Sequence, residues 1–306
     1  MPTWNEIDKR VQSEIQQPGA DASQICDQIR FEQLERLSAY RGRAIISYYS
    51  GFLQKRGPDG RTHPECAITD FDMNGFMAVT HNLPRDAGLD LILHTPGGGT
   101  EATRAIVEYL YKMFNKDIIV IVPQMAMSAG TMIACAAKQV LMGKHSCLGP
   151  TDPQINGLPA IGVLHEMDTA LEEIKKEPAR QLIWQEVFRK YPPGFIANCE
   201  RSKDGSKQMV ADWLASNMLS DSKDADSDAK AVVEQLTNFK ETTEHGHHFL
   251  SDKCREMGLK VSDLEEDQEL QEHVLSVHHS YVASFARVRS IKFIENSIGS
   301  SWNVSG

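Results

Sequence analysis

Two neighbouring stretches decide the fold: LDLILHTPGGGTEATRAIVEYL at residues 89–110 and DIIVIVPQMAMSAGTMIACAA at residues 117–137. Each begins with an apolar run of strand length, passes through a turn of small residues and continues into a helix-forming segment. The segments RAIISYYSGFL at 43–53 and QVLMG at 139–143 extend this alternation of strands and helices. Because strands joined through helices lie parallel with right-handed crossovers, the sequence predicts an α/β fold.

Three regions follow from this pattern. Residues 41–160 carry the predicted strands and are expected to form the core. Residues 1–40 are polar and helix-forming, broken at Pro18 and Gly19, and are predicted to be a helical arm. Residues 161–306 are predicted to be mostly helical, to complete the fold and to take part in oligomerisation.

Two local expectations can be compared directly with the structure. The apolar face of residues 68–86 predicts a helix with Asp70 at its N-terminus, where an acidic side chain can cap free N–H groups. The last residues, 299–306, read GSSWNVSG and are predicted to form a loose tail.

Composition excludes several classes of protein. A net charge of −10 argues against nucleic acid as the main partner, because phosphate binding requires a concentrated basic face. No apolar run approaches the roughly 20 residues of a membrane span, and the charged N-terminus does not resemble a signal peptide. The six cysteines are widely spaced, which predicts reduced thiols in a cytoplasmic protein.

Phosphate binding is one interpretation of the glycine turn. A phosphate loop requires G-x-x-x-x-G-K-[ST], and TPGGGTEATR at residues 95–104 lacks the lysine. The dinucleotide pattern G-x-G-x-x-G also fails, because position 102 is alanine. The sequence therefore predicts no nucleotide and no other cofactor.

Acyl chemistry is the second interpretation. Gly97 and Gly98 let backbone N–H groups face a cleft, while Ser128 lies where a buried strand enters a helix, at the positive end of the helix dipole. Two N–H donors directed at one developing oxyanion would stabilise a transition state. The alternative is that Ser128 is a simple helix cap in a tightly packed segment.

These residues resemble a known family. The segments DLILHTPGGGTEATRAI, VPQMAMSAGTMIACAA and LGPTDPQI are similar to those of the serine dehydrogenase proteinases. That family belongs to the Clp-type and signal-peptide-peptidase-type serine proteases, which share the crotonase-like spiral of ββα units. The resemblance is close over residues 40–160. It implies this fold and a serine peptidase activity.

The resemblance also implies roles for individual residues. Ser128 corresponds to the nucleophile, and Gly98 to the donor of the oxyanion hole, with the Ala129 N–H as its partner. The turn at residues 148–155 corresponds to a segment that lines the substrate groove. We therefore assign Gly97, Pro150 and Asp152 to that groove as well.

The general base is less well marked. The histidine of Clp-type proteases has no counterpart in CLGPTDPQ. The resemblance to family members with this turn implies a Ser-Lys dyad instead. The lysine of such relatives would fall at Ala170, so an insertion would have to bring another residue into the role. The candidates are Lys176 (or its neighbour Lys175), then Lys190, then His165. A lysine can act as a base when burial lowers its pKa.

HGHHFL raises the question of a metal site, with His245, His247 and His248 close together. We predict a structural turn and no metal, because a zinc site needs further ligands at suitable spacing.

The sequence as a whole predicts a soluble, homo-oligomeric serine peptidase that acts on proteins or peptides. A catalytically silent scaffold protein and an acyl-CoA enzyme on the same fold are the alternatives.

Overall fold

The computed structural model describes residues 4–57, 59–238 and 247–306. Its α-helices are α1 (Trp4–Ile15), α2 (Ala22–Arg41), α3 (Asp72–Thr80), α4 (Thr100–Phe114), α5 (Ala129–Ala136), α6 (Ala160–Lys176), α7 (Gln181–Phe188), α8 (Phe195–Ser216), α9 (Ala225–Leu236), α10 (Ser251–Glu256) and α11 (Gln268–Phe285). Its strands are β1 (Ala44–Ser50), β2 (Leu89–His94), β3 (Ile118–Val122), β4 (Met125–Ala126), β5 (Gln139–Met142), β6 (Cys147–Leu148), β7 (Gln154–Ile155), β8 (Leu158–Pro159), β9 (Phe249–Leu250), β10 (Val261–Asp263), β11 (Ser290–Asn296) and β12 (Ser301–Ser305).

The main sheet has the strand order β10-β5-β3-β2-β1-β11-β12. The five strands from β10 to β1 are parallel, and β11 and β12 are added antiparallel at the other side. Every residue of β1 and β2 is buried, as expected for strands covered on both faces. The predicted α/β fold is confirmed, and β2 and β3, which lead into the two turns, lie side by side.

Helices cover both faces of the sheet. Leu91 and Leu93 of β2 face a large core shared with α3, α4, α5, α8 and α9. Ile92, between them in sequence, faces the opposite layer, which is formed by α2 and α11. The N-terminal helices therefore pack on α11 of the same chain.

The C-terminal residues differ from the prediction of a loose tail. They form β12, which pairs with β11, and β11 lies beside β1 within the sheet. The charged residues Lys292 and Glu295 interrupt the apolar pattern of β11, so the sequence does not predict a strand there. Both side chains are buried, and each is paired with an opposite charge from a distant segment.

The helix predicted over 68–86 is shorter than expected. It begins at Asp72 rather than at Asp70, and the carboxylate of Asp72 accepts a hydrogen bond from the N–H of Thr69. The helix ends at Thr80, and Asn82 then adopts a left-handed φ of 60°, which no regular helix allows.

Candidate active site

Backbone hydrogen bonds bring the two small-residue turns together. Thr95, directly after β2, pairs with Ala126 of β4 in a parallel bridge. The Thr95 N–H donates to the Met125 oxygen and the Met127 N–H to the Thr95 oxygen, both at 3.0 Å. The glycine turn and the serine turn are therefore fixed relative to each other by main-chain contacts.

Ser128 has a strained backbone conformation. Its φ of 51° and ψ of −113° lie outside the regions that a residue with a side chain prefers. Such strain persists only where the surrounding structure imposes it, and it is concentrated at functional sites.

The Ser128 hydroxyl is not used for helix capping. Ser128 immediately precedes α5, yet its side chain makes no capping hydrogen bond. Within the described residues Oγ has no hydrogen-bond partner, and the side chain is half-buried. The structure thus lacks the contact on which the helix-cap interpretation depends, and the hydroxyl is available at the positive end of the α5 dipole.

The glycine loop, residues 97–99, is held by Ile68. The Ile68 N–H donates to the Gly97 oxygen and the Gly99 N–H donates to the Ile68 oxygen, each at 2.8 Å. In this parallel bridge the N–H of Gly98 points away from Ile68. Among the described residues it has no acceptor, so it is free to bind an oxygen atom in the cleft.

Only glycine fits at positions 97 and 98. Gly97 has a φ of 99°, and a Cβ there would lie 2.7 Å from the Cβ of Ser128. A Cβ on Gly98 would lie 2.2 Å from the nitrogen of Ile68. Gly97 therefore lies against the serine turn and Gly98 against Ile68, with no space for a side chain at either position.

Ala129 supplies a second donor. A Cβ on Gly97 would be 3.0 Å from the nitrogen of Ala129, so the glycine loop passes close to this N–H. Within the described residues the Ala129 N–H also has no main-chain acceptor. Gly98 and Ala129 thus present two unpaired donors near one serine hydroxyl.

The turn at residues 148–155 forms a third wall. The Thr131 hydroxyl donates to the Ala126 oxygen and accepts from the Gly149 N–H, which ties this turn to α5. Pro153 and Gln154 line the cleft that contains Ser128. Pro150 and Asp152, which the sequence analysis assigns to the groove, are buried.

The cleft has a volume of about 380 Å³. It is lined by Ser128, Met132, Pro153, Gln154, Ala67, residues 62–64, and the glycine loop with its neighbours Pro96 and Thr100. It adjoins a groove of about 810 Å³ that runs between the glycine loop and α8. The two cavities share Ala67, Gly98, Gly99, Thr100 and Gln154.

The proposed bases are placed differently from the nucleophile. Lys175 and Lys176 are exposed at the end of α6, Lys190 is exposed after α7, and His165 is exposed on α6. Among the described residues that line the cleft there is no lysine. Ala170, where the resemblance to the family places a lysine, is buried within α6.

His63 lines the cleft and is its one ionisable side chain among the described lining residues. Its Nδ1 accepts a hydrogen bond from the Glu65 N–H at 3.3 Å. No local sequence pattern marks His63, because it lies in a loop rich in glycine and proline, in the short motif THPE.

In the parts of the chain that the structure describes, no three metal-ligating side chains lie together, and no helix has the length and apolarity to cross a membrane. Of the clustered histidines, His245 lies outside the described residues. All six cysteines are buried and unpaired.

Comparison with known proteins identifies the family. The profile of the ClpP-like SDH-type serine proteinases matches residues 68–300. The match covers the glycine loop, Ser128 and the strands that hold them. The chain therefore belongs to this family, as the resemblance in its motifs predicts.

Two relatives come from Methanocaldococcus jannaschii, and both are uncharacterised proteins. One is 32% identical over 195 residues, which cover 64% of this chain and 59% of the relative. The other is 28% identical over 230 residues, covering 74% of this chain and 70% of the relative. A solved structure, a serine mutant of a membrane-bound stomatin-specific protease, is 16% identical with a TM-score of 0.36, over 68% of this chain and 79% of that one.

Proposed function

We propose that this chain is a serine peptidase in which Ser128 is the nucleophile and the N–H groups of Gly98 and Ala129 form the oxyanion hole. The observation that supports it most is the juxtaposition of a strained serine, whose hydroxyl has no described partner, with two unpaired N–H donors. Membership in a serine proteinase family supports the same reaction.

The reaction follows from this arrangement. Ser128 Oγ attacks the carbonyl carbon of the peptide bond and gives up its proton to a base, which passes it to the leaving amine. The carbonyl oxygen becomes negatively charged and accepts hydrogen bonds from Gly98 and Ala129. Water then hydrolyses the acyl-enzyme and regenerates the serine.

The shape of the cavity favours an extended substrate. The cleft continues into the larger groove along the glycine loop, and a chain of several residues would occupy both. Clefts of this kind bind peptides through main-chain hydrogen bonds to an exposed edge. We therefore propose proteins or peptides as substrates.

The proton acceptor has four candidates. Lys176 (with its neighbour Lys175), Lys190 and His165 stay predictions from the sequence, and each would have to move or be supplied by another subunit to reach Ser128. His63 is added because it lines the cleft. His63→Gln, Lys176→Met and Lys190→Met each remove one candidate, and the true base should lower kcat by about 10²-fold or more.

A direct test compares substrates of two classes. Purified protein should hydrolyse a library of quenched fluorescent peptides and leave acyl-CoA thioesters intact. Turnover of thioesters alone would support the acyl-CoA alternative. No turnover of either class, with no reaction of Ser128 with a fluorophosphonate, would favour the silent scaffold.

Gly98→Ala should lower kcat for peptides by about 10²- to 10³-fold, the loss expected when one oxyanion donor is displaced. The new methyl group would collide with the Ile68 backbone and push the loop away. Gly99→Ala is the matched control, because a Cβ there has only ordinary contacts, the nearest at 3.6 Å, and φ is −68°. Folded Gly98→Ala protein with wild-type kcat would contradict the assignment.

We further propose a homo-oligomer in the cytoplasm. Leu182 and Ile183 on α7 are 73% and 65% exposed, which is unusual for large apolar side chains and suits a subunit contact.

A further inference from the structure

We infer that Asp72, Lys292 and Tyr48 are positioning residues that hold the glycine loop so that the Gly98 N–H faces the cleft. This inference rests on the proposed function, because it assigns a role to groups behind the oxyanion hole. None of the three side chains lines the cleft in the described structure.

The three side chains form a buried network. Lys292 Nζ on β11 lies 2.8 Å from Asp72 Oδ1 and 3.0 Å from Oδ2, and both side chains are fully buried. The Tyr48 hydroxyl on β1 donates to Asp72 Oδ2 at 2.9 Å. Burial, followed by the charge of Asp72, raises the pKa of Tyr48 well above its usual range, so the phenol stays a donor.

The network holds a short segment by its backbone. Lys292 Nζ donates to the Ala67 oxygen at 2.7 Å, and Asp72 Oδ2 accepts from the Thr69 N–H at 3.0 Å. These two contacts lie on either side of Ile68. The position of Ile68 is therefore fixed from both directions by charged, buried groups.

Ile68 in turn sets the orientation of the loop. Its N–H and its carbonyl oxygen bind Gly97 and Gly99, each at 2.8 Å. With both neighbours held on one side, the Gly98 N–H must point to the other, into the cleft. A shift of Ile68 would thus be transmitted directly to the proposed donor.

Stability alone is a weak reason for such a network. Removing two charges from water is costly, and buried ion pairs often add little net stability compared with apolar side chains of similar size. What the pair does provide is a defined geometry at the segment that it binds. An oxyanion hole needs such geometry, since its donors must lie about 2.7–3.1 Å from the oxyanion.

The same strand carries a matched control. Glu295 of β11 forms a second fully buried ion pair with Arg30, at 2.9 Å, and accepts from the Tyr281 hydroxyl at 2.5 Å. This cluster involves α2, α11 and Ser47 of β1, and among the described residues it makes no hydrogen bond to the 67–69 segment. Tyr48→Phe and Tyr281→Phe therefore each remove a hydroxyl donor from a buried carboxylate, but only Tyr48 belongs to the network that holds the 67–69 segment.

The test measures kcat and KM for a peptide substrate, with active sites counted by fluorophosphonate titration. Tyr48→Phe should lower kcat per active site by about tenfold and leave KM within about twofold. Asp72→Asn should lower it further, and Tyr281→Phe should leave it unchanged even where its melting temperature falls as much. Counting active sites removes the effect of any unfolded fraction.

Two results would overturn the inference while the proposed function stands: wild-type kcat in Tyr48→Phe, or an equal loss in Tyr281→Phe. Should Asp72→Asn fail to fold, the conservative tyrosine variants still decide the question. If wild-type protein instead neither cleaves peptides nor reacts at Ser128, the proposed function fails, and this inference fails with it.

Discussion

Ser128→Ala should reduce peptide hydrolysis by at least about 10⁴-fold, since the variant loses the atom that attacks the substrate. The fold should be unaffected. Oγ has no hydrogen bond to a described residue, so its removal leaves no partner unsatisfied, and alanine retains the Cβ at this strained position. We expect the melting temperature to stay close to that of the wild type.

The control for this variant is Ser23→Ala, exposed at the start of α2 and outside both the cleft and the groove. It removes the same atom from a serine that is not next to the proposed donors, and it should retain wild-type turnover. Steady-state hydrolysis of a fluorogenic peptide measures both. If Ser128→Ala keeps more than about a hundredth of the wild-type rate after repurification, another residue is the nucleophile.

Acidification should destabilise the protein through His94. This side chain is buried at the end of β2 between Tyr49, Phe52 and His278, and neither ring nitrogen has a hydrogen bond within the described residues. Burial lowers the pKa of His94 to about 3, while a weaker contact with the Met125 backbone acts in the opposite direction.

The direction of this pH dependence follows from the difference in the pKa of His94 between the folded and the unfolded chain. An unfolded histidine has a pKa of about 6.5, so below that pH the unfolded chain binds a proton that the folded chain excludes. The free energy of unfolding therefore decreases as the pH falls from about 6.5 toward 3. His94 alone should remove about 2 kcal/mol between pH 7 and pH 5. His278 acts in the same direction, because burial and then the neighbouring imidazoles of His94, His279 and His145 lower its pKa.

Urea unfolding at several pH values tests this expectation. His94→Phe keeps a ring in aromatic surroundings and cannot be protonated, so its loss of stability between pH 7 and pH 5 should be about 2 kcal/mol smaller. His81→Phe changes an exposed histidine at the end of α3 and should follow the wild type. Equal pH dependence in wild type and His94→Phe would show that His94 is not the group responsible.

Local patterns predict much of the fold. The apolar runs of β2 and β3 belong to buried strands, and the periodic apolar residues of α4 form its one buried face, so these sequences carry a clear signal. β11 carries a weaker one. Its charged residues are tolerated only because Asp72 and Arg30 neutralise them, and these partners lie more than two hundred positions away in sequence.

In the candidate site, too, some residues can be predicted from local sequence and others cannot. Gly98 and Ser128 lie in short motifs that follow strands, where residue type and position suffice to suggest a role. The bridge to Ile68 and the place of His63 depend on a loop whose path is set by tertiary contacts, and no local pattern marks them. The identity of the general base is not predicted from the sequence, because no local pattern distinguishes a catalytic lysine from the other lysines on exposed helices.

The most direct measurement is a crystal structure of the protein after reaction with a fluorophosphonate. The adduct mimics the tetrahedral intermediate, with a phosphonyl oxygen in place of the oxyanion. Our account predicts phosphorus bonded to Ser128 Oγ and that oxygen about 2.7–3.1 Å from the nitrogens of both Gly98 and Ala129. Phosphorus on another residue, or an oxygen directed to solvent away from these two N–H groups, would contradict it.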